Sequence, residues 1–392
     1  MHYLRTVTIA LACGLAALAG GLYLGGHPDK LPTFAQDLFV EDDRALQAEI
    51  TDRIQEDFYK PVDAEKLRER TLKGTVEALD DPFSQYLPPN EAQQFAQAVD
   101  GEFEGVGMTV DEDRRGLRVL NSFPNSPARR AGIAKGDLIT AVNGRSLAGV
   151  DSRVATGRIK GPAGTSVRLE VSAGRGEPRT VKVKRAKIDV PLVETQLVER
   201  KGKKVGVVKL ASFSTGAHGE LRAALERLRK RGAQGFVLDL RGNGGGLLRE
   251  AVLVSSQFIE SGKIVSVRGR SRANRTENAE GDAAAPDDAV VVLVDGGSAS
   301  ASEITAGALR DRGRASLVGQ RTFGKGLVQE VEPLSNGGVL DLTVANYYLP
   351  SGKTIPLRKG LRPQVEARDN PRTRRDEALP TALDELLNRL GK

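Results

Sequence analysis

Three glycine-rich stretches hold the residue types able to do chemistry: DLRGNGGGLL at 239–248, DGGSASASEITAG at 295–307 and VGQRTFGKGLVQ at 318–329. The third has the spacing of a phosphate-binding P-loop, with Gly319, Gly324 and then Lys325. A working P-loop needs Ser or Thr after the lysine to bind magnesium, and a helix whose amino end faces the phosphates. Here Gly326 follows, and LVQEVEPL reads as a strand stopped by Pro333, so the match is a decoy. If the chain did hydrolyse nucleotides, it would bind magnesium-nucleotide tightly. Lys325 is left open to another role.

The second stretch turns on Gly296 and Gly297 after the hydrophobic run VVVLV and then enters a helix. Ser300 and Glu303 have the spacing of a capping box, and capping alone would account for the serine. A strand–turn–helix is also how hydrolases present a nucleophilic hydroxyl, with a rigid sheet beneath and a helix dipole behind. Such a hydroxyl needs a base. The only histidines are His2, His27 and His218, so a Ser-His-Asp triad would rest on His218 alone, and no cluster suits zinc. A lysine serves instead if its amine is neutral, which means moving its pKa from about 10.4 to roughly 7 or 8, a cost of about 4 kcal/mol. Burial supplies that shift, and Lys325 sits among Phe323, Leu327 and Val328. A solvated surface lysine is the ordinary alternative. In the first stretch, Gly244, Gly245 and Gly246 let backbone N–H groups converge on a negative oxygen near a helix start, although a flexible turn has the same composition. The glycines do not follow the dinucleotide fingerprint.

The elements that must position these residues follow from periodicity. Over 37–98, apolar residues recur at helical spacing (Leu46, Ile50, Ile54, Phe58, then Leu67, Leu72, Val76, Leu79), which predicts a small helical region. Over 99–188, short β-like runs alternate with Gly and Pro around two helices, SPARRAGI and a segment near 150–159. From 189 to 375 strands alternate with helices, predicting a mixed or largely parallel α/β core that ends in a helix at 376–392. The segment 270–288 lacks apolar periodicity and is expected to be an exposed loop.

The 392 residues carry a net charge of +7, but basic and acidic residues are interspersed along the chain, as on a solvated surface. Aromatics are 4% of the chain and tryptophan is absent, which argues against stacking-based nucleic-acid binding. Arg5 precedes an uncharged run over 6–28 in which Ala17, Leu18, Ala19 and Gly20 offer a small-x-small cleavage pattern. Residues 1–28 therefore read as a signal peptide or a membrane anchor, and the rest of the chain is expected to be exported, to the periplasm or the outer face of the cytoplasmic membrane. Cys13, the single cysteine, lies in that segment, so no disulfide follows it.

The run from Gly297 to Gln329 resembles the signature of the carboxyl-terminal processing proteases, and GEFEGVGMTV, SFPNSPARRAGIAKGDLITAVNG and IKGPAGTSVRLEV resemble the PDZ domain these proteases carry. LDDPFSQYLPP resembles the segment that precedes it. The resemblance implies a multidomain α/β protein: a helical N-terminal region, a β-rich PDZ domain with two helices, and a catalytic core like that of ClpP and crotonase. It implies Ser300 as nucleophile, Lys325 as general base, Gln329 as its orienting partner, and the N–H groups of Gly246 and Ala301 as oxyanion hole. In the PDZ domain, the loop of Phe103, Glu104, Gly105, Val106 and Gly107 would receive a substrate's terminal carboxylate. Lys160, or Arg158 in its place, would link that domain to the active site. RKGLRPQVE departs from the family pattern by lacking an acidic residue after the proline, and His218 has no family role and is expected on the surface.

The expected function is that of a serine endopeptidase cutting exported proteins near their carboxyl ends, with no metal or nucleotide cofactor. Its expected partners are protein or peptide substrates with exposed C-terminal tails, with no nucleic acid and with membrane contact only through residues 6–28. An activating partner and a homodimer, built on the N-terminal helical region or the last helix, are left open. The alternative is an idle PDZ adaptor that recruits tails for another protease; it gives no chemical reason to keep Ser300, Lys325 and Gln329 together.

Overall fold

The computed structural model describes residues 42–100, 102–173, 176–369 and 376–391. The signal peptide or anchor expected at 1–28, with Cys13, lies outside the described residues. The chain divides after Asp80 into two units, so the helical region expected over 37–98 does not stay whole. In the first unit, α1 (Asp42–Asp57) and α2 (Ala64–Glu77) follow the helical spacing of the sequence. Asp63 caps α2 by accepting from the amides of Glu65 and Lys66, both at 3.2 Å.

The second unit opens with β1 (Gln85–Leu87) and α3 (Pro89–Asp100). A β-rich region follows: β2 (Glu102–Gly105), β3 (Met108–Asp113), β4 (Gly116–Ser122), α4 (Pro127–Arg130), β5 (Leu138–Val142), β6 (Arg145–Ser146), α5 (Ser152–Ile159), β7 (Ser166–Ser172), β8 (Arg179–Lys184) and β9 (Ala186–Asp189). Its sheet runs β3-β4-β5-β7-β8, which leaves β3 at an edge, and β2 pairs only with β9. Leu117, Ile139, Leu147, Ala155, Val167 and Leu169 fill its core. The two helices expected in this region are both present.

The α/β region comprises β10 (Val193–Arg200), β11 (Lys203–Leu210), α6 (Ala217–Lys230), β12 (Gly235–Asp239), α7 (Leu248–Ser256), β13 (Lys263–Gly269), β14 (Arg275–Asn278), β15 (Ala289–Val294), α8 (Ala301–Asp311), β16 (Ala315–Gly319), β17 (Leu327–Pro333), β18 (Val339–Tyr348), β19 (Val365–Glu366) and α9 (Ala378–Leu390). One sheet runs β10-β11-β12-β15-β16-β19 and is parallel from β11 onward. β12 and β15 are continuous hydrophobic runs because both their faces are covered, Phe236, Val290 and Val292 toward α6, α7 and α8, and Val237, Val291 and Leu293 toward α9. Loops at the carboxyl ends of such strands are where a parallel sheet places a site. The glycine-rich loop after β12 and the turn after β15 both leave from there. A second sheet, β1-β18-β13-β14 with β17 also on β18, is antiparallel and carries the segment that follows Lys325.

Two expectations change, and the departure at 358–366 finds its contacts. The segment 270–288 is not a plain loop: β14 pairs with β13, and Arg272 bridges Glu330 and Glu332 on β17. Short polar strands of this kind, RTEN here, carry no apolar alternation to announce them. His218 is not merely a surface residue, since its Nδ1 lies 2.9 Å from Oε2 of Glu250, a buried carboxylate that also accepts from the amides of Gly216 and His218 at the start of α6. Where the family's acidic residue is missing, Gln364 fills the position: its Oε1 accepts from the Leu317 amide at 2.7 Å, and its own amide donates to the Leu317 carbonyl at 3.0 Å.

Candidate active site

The turn between β15 and α8 is held in an unusual backbone conformation. Ser300 has φ 53° and ψ −113°, a region that a residue with a Cβ occupies only when its surroundings enforce it. The enforcement comes from the glycine-rich loop. Asn243, itself buried, donates from Nδ2 to the Leu210 carbonyl at 2.8 Å and accepts from the Gly245 amide at 2.9 Å, while its carbonyl accepts from the Ala299 amide and the Ser302 hydroxyl. Ser298 Oγ donates to the Leu240 carbonyl at 2.8 Å. Of the three alternating serines, the outer two are thus committed to backbone carbonyls. The Ser300 hydroxyl donates to no protein acceptor among the described residues.

The glycines next to it are required by space. A Cβ on Gly245 would lie 2.9 Å from Ser300 Cβ and 3.0 Å from the Ala301 nitrogen, and one on Gly246 would lie 2.5 Å from the Phe213 carbonyl oxygen. Gly246 bridges Phe213 through its neighbours, the Gly245 carbonyl and the Leu247 amide, so its own N–H turns away from that contact. Among the described residues neither the Gly246 amide nor the Ala301 amide donates to a protein acceptor. Gly245→Ala and Gly246→Ala should each destabilise the fold by about 2–4 kcal/mol, whereas Gly244→Ala, which meets nothing within 4 Å, should leave the denaturation midpoint nearly unchanged. Equal midpoints for all three would show that the loop tolerates a Cβ anywhere.

Glu303 joins the serine turn to the lysine loop. Its carboxylate is fully buried and accepts from the amides of Ser300 (3.0 Å), Gly324 (2.9 Å) and Lys325 (2.8 Å) and from the Thr322 hydroxyl. The Phe323 amide adds a bond to the Ser298 carbonyl at 3.0 Å. Capping-box spacing singled out Glu303, but only the fold reveals its three bonds to residues 322–325. Gly324, at φ 91°, leaves room for the backbone of Pro356, Arg358 and Gly360, all within 2.7 Å of where a Cβ would stand.

Lys325 Nζ donates to Gln329 Oε1, and Gln329 Nε2 donates to the Phe83 carbonyl. The Phe83 ring lies under the ammonium, 5.0 Å from centroid to Nζ. Burial pushes the Lys325 amine below the ordinary lysine range, against the opposing pull of the Asp341 and Asp81 carboxylates. Asp341 is itself buried and pushed up by burial, though the Gln85 bond and the Lys325 charge draw it back, and its Oδ1 finds no partner. Phe83, Asp81 and Asp341 were not legible as site residues, because nothing in their local pattern connects residues 81–83, 325 and 341.

Gly246, Ser300, Lys325 and Gln329 line one cavity of about 720 Å³, and Ala301 stands next to it as the first residue of α8. Part of its lining is apolar, from Ala92, Phe95, Ala96 and Val99 on α3, and Arg275 of β14 also lies at the lining. Among the described residues no hydrogen bond joins Ser300 Oγ to Lys325 Nζ, a contact that in such sites commonly closes only around substrate. The PDZ candidates Phe103, Glu104, Gly105, Val106 and Gly107 fall in β2 and the turn to β3 and do not line this cavity. Phe103 packs edge-on to Phe123, with Lys160 Nζ 5.6 Å from its ring centroid. Neither Lys160 nor Arg158 lines the cavity; Arg158 donates to the Ser146 carbonyl at 3.4 Å.

Residues 204–367 match the model of Peptidase family S41, and residues 119–172 match that of a PDZ domain. The chain is 37% identical over 317 residues to the carboxy-terminal processing protease CtpA of Bacillus subtilis (strain 168), covering 81% of this chain and 67% of that protein. It is also 37% identical over 326 residues to a probable CtpA-like serine protease of Staphylococcus aureus (strain COL), covering 83% of this chain and 64% of that one. A solved structure of a putative S41 protease from Bacteroides fragilis NCTC 9343 superposes with TM-score 0.54 at 20% identity, over 87% of this chain and 97% of the other, and so shares its fold. A serine turn, a half-buried lysine and a PDZ domain in one chain thus meet the sequence matches: the chain belongs to peptidase family S41, among the carboxy-terminal processing proteases, and is a serine-type peptidase.

Proposed function

We propose that this protein is an exported serine endopeptidase that cleaves unfolded or loosely folded proteins near their carboxyl ends with a Ser300–Lys325 pair. The observation that carries this reading is the Ser300 hydroxyl of a strained turn, which donates to no protein acceptor among the described residues, lining the same cavity as a half-buried amine that Gln329 holds. Ser300 Oγ attacks the scissile carbonyl as its proton passes to neutral Lys325 Nζ. The oxyanion that forms is stabilised by the amides of Gly246 and Ala301, which have no other acceptor among the described residues. Lys325 then gives the proton to the departing amine; water next attacks the acyl carbonyl as its proton passes to Lys325 Nζ, which returns it to Ser300 Oγ as the acyl–oxygen bond breaks.

The PDZ domain supplies the tail preference in this reading. β3 stands at a sheet edge that an extended chain end can join, and the segment 103–107 before it, the end of β2 and the turn to β3, would take the terminal carboxylate. The test is an unfolded reporter protein offered with a free or an amidated C-terminus, its products mapped by mass. Wild type should cut near the free end and lose at least about tenfold in kcat/KM on amidation, through KM. Equal rates on both forms would remove tail recognition, and cleavage by Ser300→Ala at the wild-type rate would remove the mechanism itself.

A further inference from the structure

The segment 81–87 precedes the PDZ domain in sequence, yet the fold inserts it into the surroundings of Lys325. β1 pairs antiparallel with β18, Gln85 opposite Asp341 and Leu87 opposite Val339. Ser84 Oγ donates to Asp81 at 2.6 Å and accepts from the Thr343 amide at 3.0 Å, and Gln85 Nε2 donates to Asp341 Oδ2 at 3.3 Å. These bonds fix the backbone on both sides of Phe83. Its carbonyl holds Gln329, its ring covers the Lys325 ammonium, and the same ring meets Phe323 of the lysine loop edge-on, with centroids 6.5 Å apart at 72°.

We infer that Phe83 is a positioning residue of the active site: it is the aromatic cover that keeps water off Lys325, so the 81–87 strap is part of the catalytic centre rather than a linker to the PDZ domain. The inference rests on the reading of Lys325 as the base and adds what makes that base usable. The ring has two opposed effects on the amine. Its face attracts the ammonium, which favours the charged form, while its bulk excludes water, which favours the neutral one. Loss of hydration is the largest influence on Lys325, ahead of the Asp341 and Asp81 carboxylates that face it from β18 and from the strap. The other charged groups nearby leave that order unchanged: Glu303 bonds the lysine backbone rather than its amine, and Arg275 lies on the cavity lining. Exclusion of water is taken as the ring's larger effect, since the ring stands 5.0 Å from Nζ and closes one side of it, and the pH dependence of the Phe83 series decides between the two.

The test is the pH dependence of kcat/KM for wild type and the series Phe83→Leu, Phe83→Val and Phe83→Ala, with thermal denaturation to identify the members that fold. The backbone bonds of the strap survive each change, since only the ring is altered. The acidic limb should stay near the wild-type position for Leu and move to higher pH as the side chain shrinks, by about one unit for Ala. Phe83→Ala should then be about tenfold slower below the limb and close to wild type well above it. A limb that stays in place across the folded members, one that moves to lower pH, or a loss that high pH does not recover would each overturn the inference. Lys325→Met, measured beside them, separates the two levels: if it keeps wild-type kcat/KM the amine is not the base, and if it is inactive while the limb stays still, only the role of Phe83 falls.

Discussion

Ser300→Ala and Lys325→Met should each lower kcat/KM on an unfolded substrate by about 10⁴-fold or more, and the double variant should be hardly slower than either single one. The large effect follows from the division of labour in the turn. Ser298 and Ser302 cannot take over, because their hydroxyls are bonded to the carbonyls of Leu240 and Asn243 and both side chains are buried. Nor can another base replace the lysine: His218 is held by Glu250, and the carboxylates facing Lys325 are Asp341 and Asp81, one of which burial pushes toward its neutral form. Non-additivity is expected because a hydroxyl without its base and a base without its hydroxyl fail at the same step. Residual activity in both variants would come from the oxyanion site and substrate binding alone. Either single variant keeping more than about a tenth of wild-type activity would exclude that residue as an essential partner in proton transfer.

What made the centre legible in sequence was its division into short, self-contained motifs. Gly245, Gly246 and Gly324 are glycines for reasons of space and positive φ, the hydrophobic runs of β12 and β15 announce a buried parallel sheet, and the serine turn follows one of them directly. Each of these signals lies within about a dozen residues of the atom it positions. The unread parts are long-range. Phe83 reaches Lys325 across 242 positions, and Gln85 reaches Asp341 across 256, through an antiparallel pairing of β1 with β18 that no periodicity encodes. Likewise α3 has the spacing of a helix, and helical spacing says nothing about its apolar face forming a wall of the cavity. The P-loop spacing around Lys325 ends at Gly326, and from Leu327 the chain runs as β17 rather than a helix, as the strand-like pattern LVQEVEPL predicts.

Glu303→Ala should be the most damaging single change outside Ser300 and Lys325, and its damage should appear in both stability and rate. The variant leaves the amides of Ser300, Gly324 and Lys325 and the Thr322 hydroxyl buried without their shared acceptor. Removing a fully buried carboxylate with four donors aimed at it costs about 3–5 kcal/mol, roughly 6–20 °C in the denaturation midpoint. The rate falls for a separate reason: the same carboxylate sets the serine turn against the lysine loop, and a displacement of about 1 Å between reacting groups costs about 10²-fold. Glu303→Gln distinguishes the two effects. Its single carbonyl oxygen can keep the bonds from Ser300 and Lys325 if the amide nitrogen faces Thr322 and Gly324, where the hydroxyl can turn to accept. Gln should therefore lose stability yet keep more activity per folded molecule than Ala, by at least about tenfold. Circular dichroism melts paired with active-site titration read both quantities on one sample. If Ala and Gln variants melt alike and differ in neither rate nor midpoint from wild type, the carboxylate does not tie the serine turn to the lysine loop.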